Sequence, residues 1–91
     1  MQHAIKARIF GRVQGVFFRA STQTEANKLG ITGWVENTAE GGVYLEAEGT
    51  KNGLERFVSW LHKGPKFAKV EQVIVESSEA SDSFQGFDIR N

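Results

Sequence analysis

The sequence predicts an α+β fold in which two helices cover one face of a mostly antiparallel sheet. Three observations predict it: short segments with alternating apolar and polar residues, two segments with a helical pattern, and glycine or proline at segment ends. A chain of 91 residues, 40% of them hydrophobic, is long enough to bury one core. We therefore expect a single domain over residues 1–91.

The first half of the chain predicts a strand, a helix and a hairpin. Alternation over residues 5–13 predicts the first strand, and a helical pattern over residues 20–29 predicts a helix that ends before Gly30. Residues 31–37 and 43–48 alternate again, and the turn between them contains glycine. The spacing of these two strands predicts a hairpin with a glycine-containing loop.

The second half begins with the helix that has the clearest periodicity. Its apolar residues recur at helical spacing, at Leu54, Phe57, Val58 and Leu61. Two residues are candidate N-caps: Asn52, which could form a capping box with Glu55, and Thr50. Residues 70–76 predict a strand whose alternation slips phase, which indicates a β-bulge or a late start. Residues 87–90 predict a short extra strand, so the order is that of a ferredoxin-like β-α-β-β-α-β sandwich.

The composition excludes several classes of function. Eleven basic and eleven acidic residues cancel, so the net charge gives no support for broad nucleic-acid binding. The absence of cysteine excludes thiolate nucleophiles, disulfides and thiolate metal sites. No apolar run reaches the ~20 residues of a membrane span, and the first residues do not resemble a signal peptide. We therefore expect a cytoplasmic protein without nucleic-acid or membrane partners.

The most informative segment is the loop GRVQGVFFR at residues 11–19. It leads from the first strand into the first helix, with Gly11 and Gly15 in the turn and Arg19 at its end. Glycines let successive backbone N–H groups turn toward one point, and a helix N-terminus adds unpaired donors. A guanidinium adds a fixed charge and a planar fork of donors that matches phosphate oxygens. The segment therefore predicts an anion site.

Three segments stand in a fixed order and spacing. They are GRVQGVFFR at residues 11–19, GWVEN at residues 33–37 with Gly41, Val43 and Gly49 after it, and FDIR at residues 87–90. With these motifs the chain resembles the acylphosphatases over essentially its whole length. The resemblance implies an enzyme that converts an acyl phosphate and water into a carboxylate and inorganic phosphate. It also implies that the reaction needs no metal or other cofactor and forms no covalent phosphoenzyme.

The resemblance also implies roles for individual residues. The family's phosphate-binding arginine falls on Arg19 and its water-orienting asparagine on Asn37, so these are the expected catalytic residues. Its phosphate-cradling backbone amides fall on the residues just before that arginine, which are Gln14, Gly15, Val16, Phe17 and Phe18. Glu36 departs from the family, in which many members carry a basic or neutral polar residue. We expect a mild effect, because a strand directs neighbouring side chains to opposite faces.

Two alternative functions stay open. RNA-binding modules share this strand order but place aromatic residues on central strands, whereas Phe17 and Phe18 lie in the loop. A non-catalytic domain that binds acyl or carbamoyl phosphate would also keep the loop, as in acylphosphatase-like domains of hydrogenase-maturation proteins. Both expected catalytic residues are present and the chain ends just after its last strand, which favours a free-standing, monomeric enzyme. The two histidines, His3 and His62, lie outside the motifs and are expected on the surface.

Overall fold

A computed structural model describes residues 2–91, which form five strands and two helices. The strands are β1 (His3–Arg12), β2 (Thr32–Asn37), β3 (Val43–Gly49), β4 (Lys69–Ser78) and β5 (Phe87–Arg90); the helices are α1 (Phe18–Lys28) and α2 (Lys51–Lys63). The strands form one sheet in the order β4-β1-β3-β2-β5. Only β5 runs parallel to its neighbour β2; the other pairs are antiparallel. The predicted ferredoxin-like α+β fold is confirmed, including the extra strand.

The two faces of the sheet differ because the helices cover only one of them. Alternate residues of the three central strands face the helices and are buried, as the alternation predicts: Ile5, Ala7, Ile9, Val35, Val43, Leu45 and Ala47. The residues between them, such as Lys6 and Arg8, point to the open face. None of the helices in residues 2–91 is long and apolar enough to cross a membrane.

Helix α1 begins at Phe18, two residues before its predicted start. Phe17 precedes it in the left-handed region with φ 62°, so the chain turns abruptly from the loop into the helix. The buried side of α1 is thin, as predicted, and consists of Phe18, Thr22 and Ala26. The hydroxyl of Thr22 donates to the Phe18 carbonyl at 2.7 Å, so this polar group is satisfied inside the core. Beyond Phe18 the buried residues, Thr22 and Ala26, are small, and α1 packs against β2 and β5.

Helix α2 packs through the predicted apolar residues, and of its two candidate N-caps the structure selects Thr50 and rules out Asn52. Leu54, Phe57 and Leu61 are buried against the sheet. Thr50 is the cap, because its backbone is extended and its Oγ1 accepts a hydrogen bond from the Gly53 N–H at 3.0 Å. Asn52 lies inside the first turn of the helix, where the capping geometry is not available.

A bulge in β4 explains the slip in its sequence pattern. Gly11 on β1 pairs with Val70, while the residue before it pairs with Gln72, so Glu71 is an extra residue in the ladder. Gly11 has φ 129°, and a Cβ atom there would overlap the carbonyl oxygen of Lys69. Glycine is therefore required at the bulge, one residue before the end of β1.

The connection between β4 and β5 is held by one buried carboxylate. Glu48, on the open face of β3, is only 4% exposed. It accepts hydrogen bonds from the N–H and hydroxyl of Ser81 at 2.8 and 2.9 Å, and from the N–H of Asp82 at 3.0 Å. Burial alone would raise the pKa of Glu48, but these hydrogen bonds outweigh burial and hold the pKa below its ordinary value.

Glu48→Gln is expected to lower the free energy of unfolding by about 1.5–3 kcal/mol near neutral pH, because three donors lose a charged acceptor. Since the folded-state pKa is depressed, this stabilisation is present above the ordinary value of 4.5 and disappears as the pH falls through the folded-state pKa. Urea unfolding at neutral pH and in acid should therefore show a difference between wild type and variant that shrinks in acid. Glu55→Gln, at an exposed position of α2, is the control; an equal loss there, or a pH-independent deficit, would contradict the role of Glu48.

Candidate functional site

A cavity of about 280 Å³ opens where β1 leads into α1. Four parts of the chain line it: the loop, the first turn of α1, the end of β2, and β5. The lining residues are Val13, Gly15, Phe17, Phe18, Arg19, Ala20, Asn37 and Ile89. Arg19 and Asn37, which are distant in sequence, therefore face one space. A larger cavity of about 610 Å³ lies between α2 and β4 near the start of β1, but it contains none of the motif residues.

The backbone of the loop adopts left-handed conformations beside this cavity. Gly15 has φ 73° and open space where a Cβ would be, so the conformation, rather than crowding, calls for glycine. Phe17 adopts the same left-handed region, which is rare for a residue with a side chain. Within residues 2–91, no side chain caps the N-terminus of α1. The first N–H groups of α1 therefore stay available, and the positive end of its dipole lies beside the cavity.

Gln14 does not line the cavity, but its side chain connects the loop to the turn that follows β2. Its Nε2 donates to the carbonyl oxygens of Thr38 at 2.8 Å and Gly42 at 2.7 Å. Because Thr38 directly follows Asn37, these bonds fix the loop relative to the strand end that carries Asn37. The phosphate-binding role expected for the backbone amides of residues 14–18 stays a prediction, and Gln14 and Val16 are not among the residues that line the cavity. The contact made by the side chain of Gln14 is one that the sequence did not reveal.

Arg19 is held by the C-terminal residues. Its Nη1 donates to the Arg90 carbonyl oxygen at 2.9 Å and to Oδ1 of Asn91 at 3.1 Å. Gln23 also connects α1 to β5, because its side chain donates to the Phe87 carbonyl oxygen at 2.7 Å. Neither Nε nor Nη2 of Arg19 has a hydrogen-bond partner among residues 2–91, so most of the guanidinium fork is available to a ligand. The FDIR motif marks β5 in the sequence, but nothing there indicates the contact with Asn91.

Asn37 is the last residue of β2 and is exposed at the mouth of the cavity. It lies two residues after the buried Val35, and therefore on the same face of the sheet. Its side-chain amide has no hydrogen-bond partner in the part of the chain that the structure describes. Glu36 lies on the other face, opposite Tyr44 on β3 and Arg90 on β5, and does not line the cavity. This is the separation that we expect from strand geometry.

The cavity lining contains no histidine or carboxylate side chain within residues 2–91. His3 and His62 are exposed and lie outside this cavity, as expected. Trp60 packs on the Phe18 ring with the centroids 5.8 Å apart, so it belongs to the core contacts of α1 and α2. Residues 2–91 also contain no group of three histidine or acidic side chains placed to hold a metal ion. The lining therefore offers hydrogen-bond donors, one cation and one neutral amide.

The open face of the sheet carries two aromatic residues that are already stacked within the protein. Arg90 lies over the Trp34 ring at 3.8 Å from its centroid, and Arg8 lies over Tyr44 at 4.8 Å. Burial and the hydrogen bond to Glu46 raise the pKa of Tyr44 to about 12, so its hydroxyl stays protonated. Aromatic residues therefore lie on central strands of the sheet as well as in the loop. Both rings are nevertheless engaged by arginines, and an RNA base would have to displace them to stack.

Comparison with known proteins gives a consistent result. A model of the acylphosphatase family matches residues 5–89. The acylphosphatase of Salinibacter ruber is 50% identical over 86 residues, which cover 94% of this chain and 90% of the relative. The crystal structure of the acylphosphatase from Bacillus subtilis superposes with a TM-score of 0.94 at 37% identity and covers 100% of both chains. For the acylphosphatase from Coxiella burnetii the TM-score is 0.93 at 37% identity, with 98% of this chain and 93% of the other covered.

Proposed function

The chain belongs to the acylphosphatase family and hydrolyses acyl phosphates, and we propose that it does so in the cavity where β1 meets α1. Arg19 and the backbone amides of residues 14–18 hold the phosphoryl group, and Asn37 holds the attacking water. One observation carries this assignment: the helix start, Arg19 and Asn37 all line one cavity of about 280 Å³.

Such an arrangement suits the reaction because an acyl phosphate is already activated. Its leaving group is a weakly basic carboxylate, so the protein mainly has to position the reactants and neutralise charge. Backbone N–H groups that are fixed by the fold stabilise charge on the phosphoryl oxygens without reorganising during the reaction. The left-handed turns at Gly15 and Phe17 and the uncapped start of α1 support this role for the loop.

Arg19 supplies the fixed charge of the site. Its bonds to the Arg90 carbonyl and to Asn91 occupy a single nitrogen, Nη1, and restrain the orientation of the guanidinium plane. A restrained fork loses little conformational freedom when it binds two phosphoryl oxygens at once. This holds the phosphoryl group in one orientation relative to Asn37.

Asn37 orients the water and does not remove its proton. A carboxamide is neutral at every working pH; its oxygen accepts from water while its NH₂ donates. The water oxygen attacks phosphorus, the bond from phosphorus to the acyl oxygen breaks, and the carboxylate leaves with the electron pair. The proton of the water passes to a phosphoryl oxygen of the substrate. The cavity lining within residues 2–91, which has no histidine or carboxylate, supports this transfer.

Hydrolysis of benzoyl phosphate in ¹⁸O-labelled water tests which bond is broken. Attack at phosphorus places one labelled oxygen in the inorganic phosphate and none in the benzoate, and mass spectrometry of both products measures the distribution. An enzyme-free reaction at the same pH is the control for uncatalysed hydrolysis. Label in the benzoate would mean attack at the carbonyl carbon, and would contradict a site built around the phosphoryl group.

We also propose that the protein acts as a cytoplasmic monomer on a small-molecule substrate. Arg19, Asn37 and the loop of a single copy already face one cavity, so the proposed site requires no residue from a second copy. The balanced charge of the chain supports a small substrate rather than a nucleic acid.

A further inference from the structure

Phe17 combines two unfavourable features at one position. It is 79% exposed, the highest value among the large hydrophobic residues of the described chain. Its φ of 62° also lies in the left-handed region, which a residue with a Cβ atom rarely adopts. An apolar ring held in water by a strained backbone needs a reason, and such outliers concentrate where a ligand is bound. Phe17 lines the cavity that contains Arg19 and Asn37.

Ile89 brings a second apolar side chain to the same cavity from another element. It pairs with the buried Val35 in the parallel register of β5 and β2, so it lies on the face of the sheet that also carries Asn37. Val35 is fully buried, whereas Ile89 is 37% exposed. Ile89 is also one of the residues that line the cavity.

We propose that Phe17 and Ile89 form an apolar subsite for the acyl group, so that the enzyme prefers aryl and long-chain acyl phosphates to small polar ones. We name these two residues the acyl lip. The inference rests on the proposed function, because the acyl group reaches the lip only if the phosphoryl group lies against Arg19 and the loop amides. A benzoyl ring would cover apolar surface of the lip and stack on the Phe17 ring. An acetyl group has one methyl to bury, and a carbamoyl group would lose water from its NH₂ without gaining a partner.

Relative activity on two substrates tests the acyl lip. For wild type, Phe17→Ala and Ile89→Ala, kcat/KM is measured with benzoyl phosphate and with acetyl phosphate. We expect the benzoyl-to-acetyl ratio to fall by about tenfold in Phe17→Ala, equivalent to ~1.4 kcal/mol, and by about threefold in Ile89→Ala. Phe67→Ala is the matched control, because Phe67 is 70% exposed but does not line the cavity, and its ratio should equal that of wild type.

Inhibition by inorganic phosphate distinguishes an effect on the acyl lip from an effect on the phosphate-binding loop, because phosphate has no acyl group. If Phe17→Ala weakens inhibition by phosphate, the substitution has altered the phosphate-binding loop. The benzoyl-to-acetyl ratio in Ile89→Ala is then the test of the acyl lip. The acyl lip would be overturned if the benzoyl-to-acetyl ratio were unchanged in Ile89→Ala. It would also be overturned if the ratio were unchanged in a Phe17→Ala protein that phosphate inhibits as strongly as wild type. An equal fall of the ratio in Phe67→Ala would overturn it as well. Failure of the proposed function looks different: Arg19→Gln would then leave the hydrolysis of both substrates unchanged. If only the lip is wrong, Arg19→Gln impairs both substrates while the ratio stays constant.

Discussion

Arg19→Gln is expected to lower kcat/KM for benzoyl phosphate by about three orders of magnitude or more. A charge-assisted contact to a bound phosphate is worth roughly 1.5–3 kcal/mol, and removing one transition-state donor costs a further ~10²–10³ in kcat. Glutamine keeps a polar side chain but is shorter and uncharged, so the loss reports removal of the guanidinium group. Steady-state kinetics and competitive inhibition by inorganic phosphate measure the two parts, and both KM and the inhibition constant should rise.

Arg12→Gln is the matched control for this prediction. Arg12 belongs to the same motif but is exposed and does not line the cavity, so the same substitution there should leave hydrolysis nearly unchanged. Thermal unfolding of both variants checks that the fold persists, as expected for side chains at the surface or half-buried. A fully folded Arg19→Gln protein with wild-type turnover would exclude Arg19 from the site.

Arg19→Lys separates charge from geometry at the same position. Lysine keeps the positive charge, but its single ammonium cannot bond the Arg90 carbonyl and Asn91 while it also bridges two phosphoryl oxygens. Recovery of only a small part of the activity would show that the fork geometry matters. Full recovery would mean that charge alone is sufficient.

The parts of the fold that follow from local pattern could be predicted, and those that depend on distant contacts could not. Alternation and helical spacing are local properties, so the five strands and both helices were within reach. The N-cap of α2 shows the limit, because both Thr50 and Asn52 carry suitable side chains. Only the backbone conformation, extended at Thr50, decides between them.

The hydrogen bonds that hold the candidate site in place are even harder to predict from local sequence pattern. Gln14 bonds to carbonyl groups of the β2–β3 turn, and Arg19 bonds to the last two residues of the chain. Both contacts join segments that approach each other only after the sheet has formed, and backbone carbonyls carry no sequence signal. The family resemblance, carried by the motifs at residues 11–19 and 33–37, predicted that Arg19 and Asn37 are functional. Which groups hold them in place required the three-dimensional structure.

Asn37→Ala is expected to reduce kcat for benzoyl phosphate by about 10²–10³, with only a small change in KM. The phosphoryl group would still be held by Arg19 and the loop amides, so substrate binding should persist. The water, however, would lose the amide that fixes its direction of attack. Asn37 is exposed, and its side chain makes no hydrogen bond within residues 2–91, so the free energy of unfolding should remain close to that of wild type.

Glu36→Gln is the neighbouring control, because Glu36 lies on the opposite face of β2 and outside the cavity. It should leave both kcat and KM nearly unchanged, in agreement with the mild effect expected for this departure from the family pattern. Asn37→Asp adds a carboxylate where the substrate dianion binds, so it should lower kcat and also raise KM through repulsion.

The division of effects between kcat and KM is what distinguishes a water-holding residue from a phosphate-binding one. A group that contacts the phosphoryl oxygens stabilises the bound substrate and the transition state together, so its removal raises KM as well as lowering kcat. A group that contacts only the attacking water acts on the transition state and leaves KM nearly constant. Parallel effects of Arg19→Gln and Asn37→Ala on phosphate inhibition would mean that both side chains bind the anion. The attacking water would then have to be oriented by another group, and a loss of kcat alone in Asn37→Ala is the result that assigns this role to Asn37.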